Sequence, residues 1–268
     1  MMLDPQWVLG FLLLGALVGF MAGLLGIGGG GIMVPALTSI FLLQGVPVEK
    51  VVHLALGTSM ASIIATSLSS MRAHHRNGGV LWPVVKAVTP GIIVGTFLAT
   101  FVAKYISSAH LALFFAAFMC AVAVQMFLNK KPKPSRQLAG ATCLLAAGAG
   151  IGGISALVSI GGGSLTVPFL TWQNIDVRKA IGTSAAIGLP ISIAGTLGYV
   201  VNGWANSSPE NYTFGFIYLP AVLLISGVSF FTAPLGARMA HRLPVATLKK
   251  IFAVLLVLLG LKMLFSVI

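Results

Sequence analysis

Acidic residues are almost absent from this chain: four Asp or Glu stand against sixteen Lys or Arg in 268 residues. Charged residues of both signs make up only 7%, and hydrophobic ones 57%. A soluble domain carries about 25% charged residues, so these side chains cannot solvate a water-exposed surface. Pro5 to Val48, Gln137 to Ile175 and Ala180 to Pro209 hold no Asp, Glu, Lys or Arg. Each is longer than the roughly 20 apolar residues that cross a bilayer. Cysteine is equally scarce. Cys120 and Cys143 sit inside apolar runs without metal or redox spacing, which reads as packing. No haem, nucleotide or metal motif occurs, so no cofactor and no metal are expected. The start, Met1-Met2-Leu3-Asp4-Pro5, lacks the basic region of a signal peptide. The first apolar run is therefore expected to be a retained membrane helix.

What is present is a repeat. Gly26-Ile27-Gly28-Gly29-Gly30-Gly31-Ile32-Met33-Val34-Pro35-Ala36-Leu37 returns as Ser159-Ile160-Gly161-Gly162-Gly163-Ser164-Leu165-Thr166-Val167-Pro168-Phe169-Leu170, 133 residues later. Ala55-Leu56-Gly57-Thr58-Ser59 returns as Ala180-Ile181-Gly182-Thr183-Ser184, and Asn77-Gly78 as Asn202-Gly203, both at offset 125. Trp82-Pro83 pairs with Leu219-Pro220, and Gln125-Met126-Phe127 with Lys262-Met263-Leu264, at offset 137. Five matches in one order exceed what chance similarity of glycine-rich apolar segments explains. Each half reads as five elements: runs near 6–27, 35–43, 51–71, 82–104 and 109–128, then 138–160, 168–175, 179–200, 216–238 and 248–267. The predicted fold is an all-α polytopic membrane protein of about 8–10 membrane segments. Residues 1–128 form one repeat, 129–137 a basic linker, and 138–268 a second repeat.

Five elements is an odd number, so the second repeat starts on the opposite side of the membrane, giving an inverted pair. The net charge of +12 fits this arrangement and not nucleic-acid binding, because the basic residues lie in short loops between apolar runs. If the linker is cytoplasmic, its Lys130, Lys131, Lys133 and Arg136 share that side with Arg72, Arg76, Arg178, Lys179, Arg238, Arg242, Lys249 and Lys250. The outer loops keep Lys50 and Lys104, with Asp4, Glu49 and Glu210. The positive-inside rule then places the chain in the cytoplasmic (inner) membrane with both termini outside.

The glycine-rich stretches carry the functional signal. A residue before proline disfavours helix and proline suits a first helical turn. Short helices are therefore predicted from Pro35 and Pro168, preceded by extended segments Gly28 to Val34 and Gly161 to Val167. Eight or nine residues give about 13 Å, under half a bilayer core. Backbone groups of such breaks cannot face lipid, so they line a protein-enclosed cavity. Two half-helix N-termini meeting near the midplane would offer N–H groups and positive dipole ends to an anion, and glycine allows close approach. The candidate substrate site is Gly28, Gly29, Gly30, Gly31, Gly161, Gly162, Gly163 and Ser164, with the hydroxyls of Thr58, Ser59, Thr183 and Ser184. The competing roles are close helix packing for the glycines and bonds back to their own helix for the hydroxyls. His53 near an outer helix end and His74 and His75 in a basic loop read as surface or interface residues. Arg72 and Arg76 read as topology anchors that also attract anions. Phe114-Phe115 and Phe230-Phe231 read as lipid-facing or packing residues.

The doubled pattern Gly-Ile-Gly-Gly-Gly-Gly-x-x-Val-Pro-x-Leu, Gly-Thr-Ser and His75-Arg76-Asn77-Gly78 resembles the sulfite exporter TauE/SafE family over nearly the whole chain. The second half departs from it where Val200-Val201 stand in place of His75-Arg76. The resemblance implies a permease, not an enzyme, for sulfite, sulfonates such as sulfoacetate, or similar organic acids. Its partners would be a small anionic substrate and the bilayer, with a homo-oligomer also admitted. The apolar runs contain no Asp or Glu for proton coupling, so potential-driven export by alternating access is the expected mechanism. An anion channel, a membrane subunit of a larger complex and an intramembrane enzyme are the other readings. The last lacks an imidazole–carboxylate pair within the spans.

Overall fold

The computed structural model describes residues 4–26, 28–128, 140–239 and 245–268. The basic linker 129–137 and Arg242 lie outside these residues, as does the side chain of Lys249. Ten α-helices follow one another: α1 (Pro5–Leu25), α2 (Gly30–Leu43), α3 (Val48–Arg76), α4 (Trp82–Tyr105), α5 (Ser108–Leu128), α6 (Ala141–Val158), α7 (Gly163–Trp172), α8 (Val177–Gly203), α9 (Leu219–Met239) and α10 (Val245–Val267). Among the described residues, seven of them are long and apolar enough to cross a bilayer. The chain is thus an all-α, multi-pass membrane protein. Its outer surface is what lipid requires: Leu13, Leu98, Leu223 and Phe231 stand exposed, while every Lys and Arg whose side chain is described is exposed as well.

α3 and α8 form the centre. They pack on each other, and α3 also packs on α9 and α8 on α4. α1 packs against α9 and α6 against α4, while α5 and α10 pair together. Each first helix of one half therefore lies on the fourth helix of the other. Lipid offers no hydrophobic gain for helix association, so close backbone contact must supply it. A Cβ at Gly15 would lie 2.8 Å from the Ile225 carbonyl, and one at Gly148 would strike the Val88 carbonyl; glycines 19 and 152 sit one turn further along the same two interfaces. Gly91 of α4 is closed against the Leu145 carbonyl and the Ala149 backbone nitrogen. Both contacts are backbone and cannot yield. Gly91→Leu should therefore destabilise by about 1–3 kcal/mol, the usual range for overpacking, seen as a lower melting temperature in detergent. Gly227→Leu, where a side chain meets open space, should leave it unchanged.

Several boundaries differ from the sequence expectation. α2 and α7 begin at Gly30 and Gly163, five residues ahead of Pro35 and Pro168, and Val34 and Val167 are helical rather than extended. The cause is the left-handed glycine at each N-cap, Gly29 (φ 81°) and Gly162 (φ 83°), which turns the chain into the helix earlier. Proline at the sixth position removes one N–H, which would have met the carbonyl of Gly31 or Ser164. The helices hold 14 and 10 residues, about 21 and 15 Å at 1.5 Å per residue, still short of a bilayer core. α3 runs on to Arg76, so Arg72, His74 and His75 belong to its last turns and not to a loop. Arg178 and Lys179 likewise open α8, where the Asp176 carboxylate accepts from both backbone N–H groups. His53 is buried, its Nε2 3.0 Å from the Ala103 carbonyl oxygen. It joins α3 to α4 and is no surface residue. Asn202 lies in α8, buried, donating to Thr100 Oγ1 at 3.0 Å. Between α8 and α9 stand two 3₁₀ turns and a hairpin of β1 (Thr213–Phe214) and β2 (Ile217–Tyr218), which no hydropathy pattern announced.

Candidate functional site

The site grows from the two chain reversals that precede α2 and α7. α1 ends in a left-handed Gly26 (φ 69°) and α6 in a left-handed Ser159 (φ 48°). The next left-handed residues, Gly29 and Gly162, launch the short helices: Ile32 and Met33 donate to the Gly29 carbonyl, and Leu165 and Thr166 to that of Gly162. The N–H groups of Gly30, Gly31, Gly163 and Ser164 precede the first helical bonds and form the positive ends of the two helices. The turns touch. A Cβ on Gly28 (φ 78°) would lie 2.6 Å from Gly161 Cα and 2.7 Å from its nitrogen. Gly30 is closed against the Ser159 carbonyl. Only hydrogen atoms separate the two reversals there.

Not all the predicted residues gather at this contact. Gly29 faces Val18 of α1, Gly31 faces Leu256 and Met119, and Gly162 faces Ile191. Gly163 and Ser164 form the first turn of α7. Ser59 and Ser164 are buried with Oγ atoms that have no hydrogen-bond partner. Ser184 donates to the Ile181 carbonyl at 2.8 Å and reaches the Gly26 carbonyl at 3.3 Å, tying α8 to the opposite reversal.

Thr58 and Thr183 do something else. Thr58 Oγ1 accepts from the Tyr218 N–H at 3.0 Å, and Thr183 Oγ1 accepts from the Leu81 N–H at 3.0 Å. Beside them Gly57 receives the Phe216 carbonyl and Gly182 the Gly79 carbonyl. Each Gly-Thr pair thus clasps the segment leading into the fourth helix of the other half. One clasp lies at the hairpin end of the molecule, the other at the Arg72–Arg76 end. Neither threonine bonds back to its own helix through this oxygen as acceptor.

Sequence reading missed three hydroxyls. Thr66, Ser67 and Ser70 of α3 line a cavity of about 10 Å³ with Gly26, Gly28 and Gly161. That volume suits a single water, too little for an oxyanion. The available signal was their spacing, which puts hydroxyls on neighbouring positions of a hydroxyl-rich helix. A wider cavity of about 340 Å³ opens at the other end of α3, under the hairpin, lined among others by Gln44, Lys50, Asn206 and Ser208. Among the described residues no ionised side chain lines the central cavity. Among the described residues no group of His, Cys, Asp and Glu is placed to hold a metal.

Comparison with known proteins places the chain among membrane transporters. Residues 11–263 match the family model described as Sulfite exporter TauE/SafE. A probable membrane transporter protein of Haemophilus influenzae is 39% identical over 253 residues, covering 94% of this chain and 96% of its own length. A probable membrane transporter protein of Methanocaldococcus jannaschii is 29% identical, covering 94% of each chain. One from Bacillus subtilis is 24% identical, covering 93% and 97%. No solved structure matches. The chain belongs to the sulfite exporter TauE/SafE family of membrane transporters.

Proposed function

We propose that this protein carries a small sulfur-containing or organic anion, sulfite or a sulfonate, out of the cytoplasm by alternating access. Two inverted repeats, residues 1–128 and 138–268, form the carrier, with the basic linker 129–137 inside and both termini outside the inner membrane. The observation that carries this reading is the contact of the two glycine turns, Gly28 on Gly161, at the N-termini of two helices too short to span. The short helices start two residues beyond this contact, at Gly30 and Gly163, so their N-terminal N–H groups adjoin it without any full positive charge, and an anion is attracted yet can leave. The paired clasps at Thr58 and Thr183 are what a two-gate carrier needs, one at each end of the path. The narrow centre favours a carrier over an open channel.

The four carboxylates, Asp4, Glu49, Asp176 and Glu210, are all exposed, and none is positioned to carry a proton through the core. An outward-moving anion gains roughly 2.3 kcal/mol per charge per 100 mV from an inside-negative potential. Proteoliposomes loaded with radiolabelled sulfite, sulfoacetate, taurine or acetate should therefore release at least one sulfur anion when a potassium diffusion potential is imposed at equal pH. Release that needs a pH gradient at clamped potential would rule out uncoupled export. Failure of every anion under both conditions would rule out the anion reading itself.

A further inference from the structure

α3 and α8 correspond residue for residue at offset 125, since the matches at Gly57/Gly182 and Asn77/Asn202 share it. Between these anchors the two helices diverge in chemistry. Thr66, Ser67 and Ser70 of α3 answer to Ile191, Ser192 and Gly195 of α8. Only Ser67 has a hydroxyl counterpart, Ser192, and that one donates to the Leu189 carbonyl of its own helix at 2.9 Å; Thr66 and Ser70 have none, and the α3 hydroxyls run from the glycine contact toward the Arg72–Arg76 end. Ser67 and Ser70 are each 3% exposed. Ser67 Oγ lies beside Gly188 of α8 where that glycine meets the Gly161 carbonyl. Ser70 Oγ lines the cavity and has no hydrogen-bond partner. A buried hydroxyl without a partner costs free energy, and a fold tolerates it where a ligand completes it. Thr66, by contrast, is held by Ser229 Oγ at 2.9 Å and serves as the fixed back of the wall.

We propose that Ser67 and Ser70 form a loading station for a sulfur oxyanion on the basic-end side of the glycine contact. Their O–H groups donate to the anion's oxygens as it enters from the side of Arg72 and Arg76. The proposal rests on the anion-transport reading and adds to it which face loads and which side chains touch the cargo. Neutral hydroxyl donors suit an oxyanion with several acceptor oxygens, and α8 offers no equivalent set toward the other face. The station is one-sided.

The test uses the full chain in proteoliposomes with radiolabelled sulfite, or with whichever sulfur anion of the panel the unaltered protein moves. Ser70→Ala and Ser67→Ala should each raise the KM roughly tenfold or more, the loss of one hydrogen bond to a charged group, whereas Ser70→Thr should retain most function. The melting temperature of Ser70→Ala should not fall, because the lost oxygen had no partner. A second readout places Ser70→Cys in a Cys120→Ala/Cys143→Ala background, since both native cysteines are free thiols. A sulfonate-bearing methanethiosulfonate should modify it in inverted membrane vesicles more readily than in right-side-out ones, and sulfoacetate, which unlike sulfite does not consume the reagent or cleave the mixed disulfide, should protect it. Unchanged KM in both alanine variants, or modification indifferent to sulfoacetate, overturns the station while leaving the transport reading intact. An unaltered protein that moves no anion overturns both.

Discussion

Gly28→Ala is expected to reduce anion flux by about 100-fold or more, the scale of loss that follows a misplacement of roughly 1 Å at a working site. Two effects combine at this residue. Its φ of 78° is left-handed, which costs an L-residue about 1–2 kcal/mol. The added Cβ would also sit 2.6 Å from Gly161 Cα, and both contacting atoms are backbone, so the two turns must move apart. Gly45→Ala isolates the first effect. Gly45 has φ 81° with nothing near its would-be Cβ, so that variant meets the backbone strain alone and should transport normally. Initial flux and melting temperature measured together separate the two. If Gly28→Ala loses stability like Gly45→Ala and transports as well, the contact of the turns plays no part in moving the substrate.

The two threonine clasps give the second large effect. Thr58→Val and Thr183→Val preserve shape and remove the acceptor. The N–H of Tyr218 or Leu81 is then left without its partner, at about 1–3 kcal/mol for a buried group. On a carrier with two gates this loss falls on one closed gate only. It shifts the balance of states by about five- to 150-fold, in opposite directions for the two variants. Thr183→Val should open the Arg72–Arg76 end and Thr58→Val the hairpin end. Flux should fall in both, since each cycle stalls on one side, and Thr→Ser at either position should restore it. Labelling of a reporter cysteine at position 70 from each face measures the shift. Equal accessibility in the two variants would make the threonines structural ties without a gating role. The Thr58 variant should show the larger change, because its bond to Tyr218 is fully buried whereas that of Thr183 is partly exposed.

The membrane class and the helical segments were legible because they depend on composition and order, which lipid constrains strongly. Runs without charge became helices α1, α3, α4, α5, α6, α8 and α9 with ends shifted by a few residues. That the chain breaks at the two glycine-rich stretches was legible; that Gly29 and Gly162 are left-handed, where extended backbone was expected, was not. Nor was the start of α2 and α7. The rule that the residue before proline avoids helix was overridden at Val34 and Val167 by the capping glycine five residues upstream. The bonds that Thr58 and Thr183 make were not legible for a different reason. Their partners, Tyr218 and Leu81, lie 160 and 102 residues away, and nothing local distinguishes a hydroxyl that clasps a distant loop from one that meets a ligand. Thr66, Ser67 and Ser70 escaped notice because they lie outside the repeated motifs. The repeat points to what the halves share, whereas Thr66 and Ser70 sit where they differ.

Calorimetric titration of sodium sulfite, and of sulfoacetate, taurine and acetate in turn, into purified protein tests the central claim most directly, with Gly28→Ala alongside. A saturable heat for one sulfur anion in the unaltered protein, absent in Gly28→Ala, is the expected result. Binding of no anion at millimolar concentration, or equal binding by Gly28→Ala, would contradict an anion site at the meeting of the two glycine turns.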